Sequence, residues 1–300
     1  MKKTKITLAL AATALLAACS VSTAISAEEV SKRLNEYGDH VTAADFKMPS
    51  KLTQKTVESA EFKISSTTYD DEGNPTSESS TSKNSAEVEA AIDRDAKYLY
   101  MSMKSTGEEN GEKGNETMYS WLFADNGKYY QATASDDTTY ADGQYVELPE
   151  AAFNATFDQY VSQMGAEALS ETYKSLAEQF LSAVNSEQEP EGDVDTDASI
   201  DSRQEEKSFL TSGDGNLSVS YKSTVVTVTS EELEAGTVQV EVTTKSEINF
   251  EIDKYLPKVI EMNGYTGNES SYLDMKLRTT YDWGECAISK PDLTKFGHVA

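Results

Sequence analysis

WLFADNGKYYQAT, residues 121–133, reads as two strands joined by a turn. Asn126-Gly127 supplies the two positive-φ residues that a two-residue hairpin needs, and the flanking runs are aromatic-rich. An antiparallel hairpin at this point sets the expectation for its neighbours. Just upstream, KYLYMSM (97–103) places Leu99, Met101 and Met103 on one strand face and Tyr98, Tyr100 and Ser102 on the other. Further upstream, Val88, Ala90 and Ile92 alternate with polar residues, as do Phe62, Ile64, Ser66 and Thr68. Asp71 to Pro75 is a turn cluster. Ser77 to Ser85 is polar and reads as a solvated edge strand or a loop, and Gly107 to Asn115 as a charged, glycine-rich loop.

After Pro149 the period changes from two to near four. Phe153, Phe157, Tyr160, Val161 and Met164 form one helical stripe. Leu169, Tyr173, Leu176, Phe180 and Val184 form a second, with Gly165 as the joint. Asn185 to Lys207 is acidic and nearly free of large apolar residues, so a disordered linker or excursion is expected there. Alternation then resumes at Leu217–Tyr221, Thr224–Thr229, Val238–Val242, Ile248–Ile252, Val259–Tyr265 and Leu273–Trp283. Strand runs separated by turns pair antiparallel, and so few helices must cover one face of the sheet. The expected fold class is α+β: an antiparallel sheet with helices covering one face.

The amino-terminal end carries an address. Lys2, Lys3 and Lys5 precede an apolar run, Ile6–Leu16, that is too short to span a bilayer, and Leu16-Ala17-Ala18-Cys19 follows. This resembles a bacterial lipobox, which implies a signal peptide over 1–18, acylation of Cys19 and a lipidated tether over 19–27. Ordinary secretion with cleavage at another small-residue site is the alternative. Ser26 can cap a short helix over Glu28–Tyr37, and one domain is expected over 28–300. The formal net charge is −26, and loss of the three leader lysines takes it to −29. Such a surface repels phosphate backbones and excludes nucleic acid as a partner. The partners expected are the membrane, through the anchor, and a lipid or other hydrophobic ligand. The sequence identifies no protein partner.

Catalytic patterns are missing. The two histidines, His40 and His298, stand near opposite ends of the domain, and Ser80-x-x-Lys83 lacks the partner motifs of an acylating serine site. Cys286 sits beside Glu285, which does nothing to activate a thiol. Asp193, Asp195, Asp197, Ser199 and Asp201 alternate like calcium ligands. However, Ala198 stands where such a loop turns on glycine and Gln204 where it needs glutamate, so a solvated linker accounts for them better. Neither enzyme activity nor a cofactor or metal is expected. The remaining candidates are apolar: Leu99, Met101, Met103, Phe250 and Met275 on strands, with Trp121, Phe157 and Met164 able to face them. Methionine adapts its shape, which suits variable acyl chains. These residues either line a ligand cavity or close into a packed core, and a solid core makes the chain a non-enzymatic surface adhesion, assembly or accessory lipoprotein.

The order of parts is also that of a known family. A lipobox and a short helix come first, then a tyrosine-rich hairpin and a central helical block. FEIDKYLPKVI (250–260) and a closing TYDWG…I…P strand (280–291) follow. Over roughly residues 28–295 this resembles the LolA/LppX-like lipoproteins of the Gram-positive type. The resemblance implies an α+β fold made of a curved, half-open antiparallel sheet, a half-barrel, whose helices cover the concave face and plug an apolar, lipid-carrying cavity, with the protein anchored on the extracytoplasmic face of the cell membrane.

Overall fold

The computed structural model describes residues 22–69, 75–140, 142–185, 197–233, 236–286 and 289–299. Long strands dominate. β1 (Thr23–Ala24) precedes helix α1 (Ala27–Val41), and then come β2 (Lys51–Tyr69), β3 (Pro75–Asp93), β4 (Tyr98–Glu109), β5 (Glu112–Asp125), β6 (Lys128–Ala134) and β7 (Gln144–Leu148). Helices α2 (Glu150–Gln163) and α3 (Ala166–Asn185) divide this half from β8 (Asp197–Thr211), β9 (Leu217–Leu233), β10 (Gly236–Asp253), β11 (Leu256–Gly267) and β12 (Tyr272–Trp283). A last short strand, β13, spans Gly297–His298.

The thirteen strands among the described residues form one open, curved sheet in the order β1-β8-β9-β10-β11-β12-β2-β3-β4-β5-β6-β7-β13. Every described pairing is antiparallel except that of β13 with β7. Pairing of β2 with β12 joins the two halves along an unbroken run from Lys63–Tyr272 to Leu52–Trp283. β2 and β3 are 19 residues each, about 60 Å at the usual strand rise. The fold is therefore α+β, with the helices on the concave face.

The helices reach only part of that length. Ser26 caps α1 by accepting from the Glu29 N–H at 3.2 Å. Val30, Leu34, Tyr37 and Val41 of α1 and Leu169, Tyr173, Leu176 and Phe180 of α3 are buried against Phe209, Val219, Tyr221, Phe250 and Ile260 of the second half. Gly38 permits the close crossing of α1 and α3, since a Cβ there would stand 3.1 Å from Ser170 Oγ. Phe153 and Phe157 of α2 pack on Leu52, Ile92, Leu99 and Leu122 of the first half. Tyr281 and Trp283 of β12 touch both clusters.

A third cluster lies on the convex face. Tyr98, Tyr100, Tyr119, Trp121 and Phe123 pack there under the carboxyl-terminal tail, with Phe296 and Leu293. The Tyr98 hydroxyl donates to the Ser289 carbonyl at 3.0 Å and Lys290 Nζ to the Ala124 carbonyl at 2.7 Å, which fastens the tail.

The turns explain the register. Asn126 and Gly127 have φ of 50° and 77°, as the hairpin requires. Asn110 and Gly111 repeat this geometry, so most of the expected 107–115 loop is strand that continues β4 and β5 to a two-residue turn. Ser77–Ser85 is strand. Among the described strands Ser77–Thr81 pairs only with β2, as the expected solvated edge, while Ser82–Ser85 lies between β2 and β4, beyond the helices, where both faces tolerate polar side chains. The acidic linker expected over 185–207 is also corrected. α3 runs to Asn185, and from Asp197 the chain pairs with β9 as β8; residues 186–196 lie outside the described residues. Among the described residues β8 has only the two residues of β1 on its outer side, and a charged sequence suits so exposed a strand. Of the aspartates weighed as calcium ligands, Asp193 and Asp195 lie outside the described residues, while Asp197 and Asp201 belong to β8, whose extended backbone does not wrap an ion.

Candidate functional site

On β4, β3, β11 and β10 the concave side chains reach small residues beyond the helices, while β2 and β12 keep Phe62, Ile64, Met275 and Leu273 there. On β4 the order is Leu99, Met101, Met103, Ser105, Gly107; on β3 it is Ile92, Ala90, Val88, Ala86. On β11 it is Ile260, Met262, Gly264, and on β10 Phe250 and Ile248 give way to Ser246. The small residues fall in register: Gly264 pairs with Ser246 and Met275, Met275 with Ala60, and Ala86 with Ser105. The result is a groove of about 850 Å³ across the floors of β4, β3, β2, β12, β11 and β10, bordered by Gln179 and Ala183 from the last turns of α3. Its lining includes Ala60, Ala86, Ile248, Met262, Met275 and Leu277. A Cβ built on Gly264 meets nothing within 4 Å, so no side chain fills the space above it. Met275 is 49% exposed, and Phe62 and Ile64, which alternate onto the same face beyond the groove, are also exposed.

The two faces differ in charge as well as in polarity. On the convex face the mid-sheet carboxylates are paired: Lys55–Glu87 at 3.0 Å, Lys83–Glu61 at 3.0 Å, Lys222–Glu247 at 2.9 Å and Lys276–Asp274 at 3.1 Å. A hydrogen bond from the Tyr272 hydroxyl, then one from Lys83, holds the Glu61 carboxyl below its usual range. Lys222 first, then Asn249, does the same for Glu247. Glu58 is the acid of the concave floor and has no ion-pair or hydrogen-bond partner among the described residues.

The eight sequence candidates scatter. Met275 lines the groove. Met101 and Met164 line a separate niche of about 200 Å³ with Tyr160 and Gln163. Met103 is half-buried on the same face between the two. Leu99 and Phe157 are core residues beneath α2, and Phe250 is core beneath α3. Trp121 does not face this side at all: strand alternation puts it on the convex face with Tyr100, Tyr140 and Phe296, which corrects its assignment as a lining residue. Cys19 lies outside the described residues. The residues that matter most to the groove, Gly264, Gly107, Ala60, Ala86 and Glu58, escaped a search for large apolar side chains. Of these only Gly264 carried a signal, a glycine inside the otherwise alternating run Val259–Tyr265, which marks close approach by another group.

Among the described residues, no three metal-ligating side chains converge, and no helix is long and apolar enough to cross a membrane. No family model matches the chain, and no curated protein does. Two solved structures share weak similarity. One is a chain from work on the asymmetric conductivity of engineered proteins, 9% identical over 77% of this chain and all of that one, with a TM-score of 0.16. The other is the translocator domain of the autotransporter NalP from Neisseria meningitidis, 7% identical over 83% of this chain and 93% of that one, also with a TM-score of 0.16. TM-scores this low mark no shared fold.

Proposed function

We propose that this chain is a membrane-anchored, extracytoplasmic lipoprotein that binds a lipid or another hydrophobic ligand in the concave groove. The observation that carries this reading is the unfilled apolar floor: about 850 Å³, lined by alanine, methionine and leucine, with open space above Gly264. That volume lies at the upper end of the range of roughly 300–1,000 Å³ typical of small-molecule sites. The groove is the kind of cavity that the resemblance to LolA/LppX-like lipoproteins implies. Cys19 supplies the anchor in this reading, only four residues before β1, so the tether meets the domain beside β8.

Native mass spectrometry of the full chain released from its own membrane tests the reading. A co-purifying small-molecule mass that disappears in Gly264→Trp is the expected result, and a ligand-free protein contradicts it. The anchor is tested separately. Cys19→Ala is expected to abolish fatty-acid labelling and release a folded domain, and labelling that persists in this variant rules the anchor out.

A further inference from the structure

The groove is apolar along its floor but not electrically neutral. Glu58 projects from β2 on the concave face and pairs with nothing among the described residues, whereas the convex carboxylates beside it are matched to lysines. The last turn of α3 borders the same space through Ala183, whose carbonyl accepts the Tyr221 hydroxyl at 3.1 Å, and that turn contains no basic residue to face Glu58. Lys276 also touches the groove, but strand alternation assigns its side chain to the convex face, where its ammonium holds Asp274 at 3.1 Å. An anionic head group seated here meets the Glu58 carboxylate with no cation opposite it among the described residues. A cationic head group meets that carboxylate favourably.

We infer that the groove selects amphiphiles whose head group is cationic or uncharged and discriminates against anionic ones, with Glu58 as the residue that sets the preference. This inference rests on the proposed function and adds the ligand class to it. The carboxylate sits on an open floor rather than in a sealed interior, so its effect on affinity is about tenfold rather than orders of magnitude.

Three probes with the same twelve-carbon tail test the inference: a trimethylammonium, a sulfate and an uncharged maltoside, each below its micellar concentration. Calorimetric titration of the full chain in about 150 mM salt screens the net charge of the domain beyond ~8 Å, which leaves the local effect. The expected order is trimethylammonium tightest, maltoside next and sulfate weakest, with about tenfold between the extremes. Glu58→Gln is expected to compress that ratio several-fold and Glu58→Lys to invert it. Equal binding of the two ionic probes, or a ratio unchanged by both substitutions, overturns the selectivity while leaving the groove as an apolar site if the maltoside binds. No binding of any probe overturns the proposed function and the inference with it.

Discussion

At the residue scale, the turn between β10 and β11 is the most constrained point. Lys254 and Tyr255 both lie in the left-handed region, with φ of 51° and 67°, where side chains are disfavoured. The surroundings hold them there. Tyr255 stacks on His40 at 3.8 Å, its N–H donates to the Gly215 carbonyl at 2.9 Å, and its carbonyl accepts the Tyr173 hydroxyl at 2.7 Å. Lys254 contributes only its backbone N–H, given to Asn216 Oδ1 at 2.8 Å, and its side chain is exposed. Lys254→Gly is therefore expected to raise stability by about 1 kcal/mol in urea unfolding, and a loss of stability contradicts this account of the turn. Asp93 organises the turn into β4: its Oδ1 accepts from Asp95 N at 3.1 Å and Ala96 N at 3.0 Å, and its Oδ2 meets Lys51 at 3.2 Å. Burial alone raises its carboxyl, but the Ala96 N–H, Lys51 and the Asp95 N–H together hold it below the usual value. Its contribution is complete above the unfolded carboxylate pKa of about 3.9 and is lost as pH falls through the lower folded value. Asp93→Ala is expected to cost about 2 kcal/mol at neutral pH. That gap should close below about pH 4, and a gap independent of pH down to acid unfolding contradicts the assignment.

At the element scale, two devices fix the helices and the tail. Arg94 reaches from the β3–β4 turn to the Pro49 carbonyl at 2.7 Å and the Met164 carbonyl at 2.8 Å, which ties the joint between α2 and α3 to the chain entering β2. Arg94→Ala strands both partly buried carbonyls and is expected to cost about 2–3 kcal/mol in urea unfolding; a change within error refutes this role. Phe296 seals Trp121 on the convex face with ring centroids 5.9 Å apart. Phe296→Ala is expected to cost about 3 kcal/mol and to red-shift tryptophan emission as water reaches the indole. The helices, the Ser26 cap, the Gly165 joint and the Asn126-Gly127 hairpin were legible in sequence because each has a local signature. Trp121 was not, because alternation says which residues share a face but not which face the helices cover. Residues 201–207 and 82–85 misled for another reason. They are polar throughout, and only pairing with β9, β2 and β4 makes them strands.

At the scale of the whole molecule, the sheet is longer than its helices. The large side chains beneath α1, α2 and α3 make a solid core, and beyond them β3, β4, β10 and β11 carry alanine, glycine and serine and leave the groove. The sequence displayed the apolar faces but could not tell core from cavity, because the void depends on where α3 stops relative to six strands brought together by long-range pairing. A net charge of −26 also makes the domain self-repelling, so its melting temperature is expected to rise when salt is raised from about 10 to 150 mM. The groove itself is tested most directly by the affinity of an uncharged twelve-carbon maltoside for the wild-type chain and for Gly264→Trp, measured beside their melting temperatures. Because a side chain at position 264 enters open space, the substitution is expected to leave the melting temperature unchanged or higher while weakening binding at least about tenfold. Equal affinity in the two proteins, at equal stability, would show that the ligand does not occupy the groove.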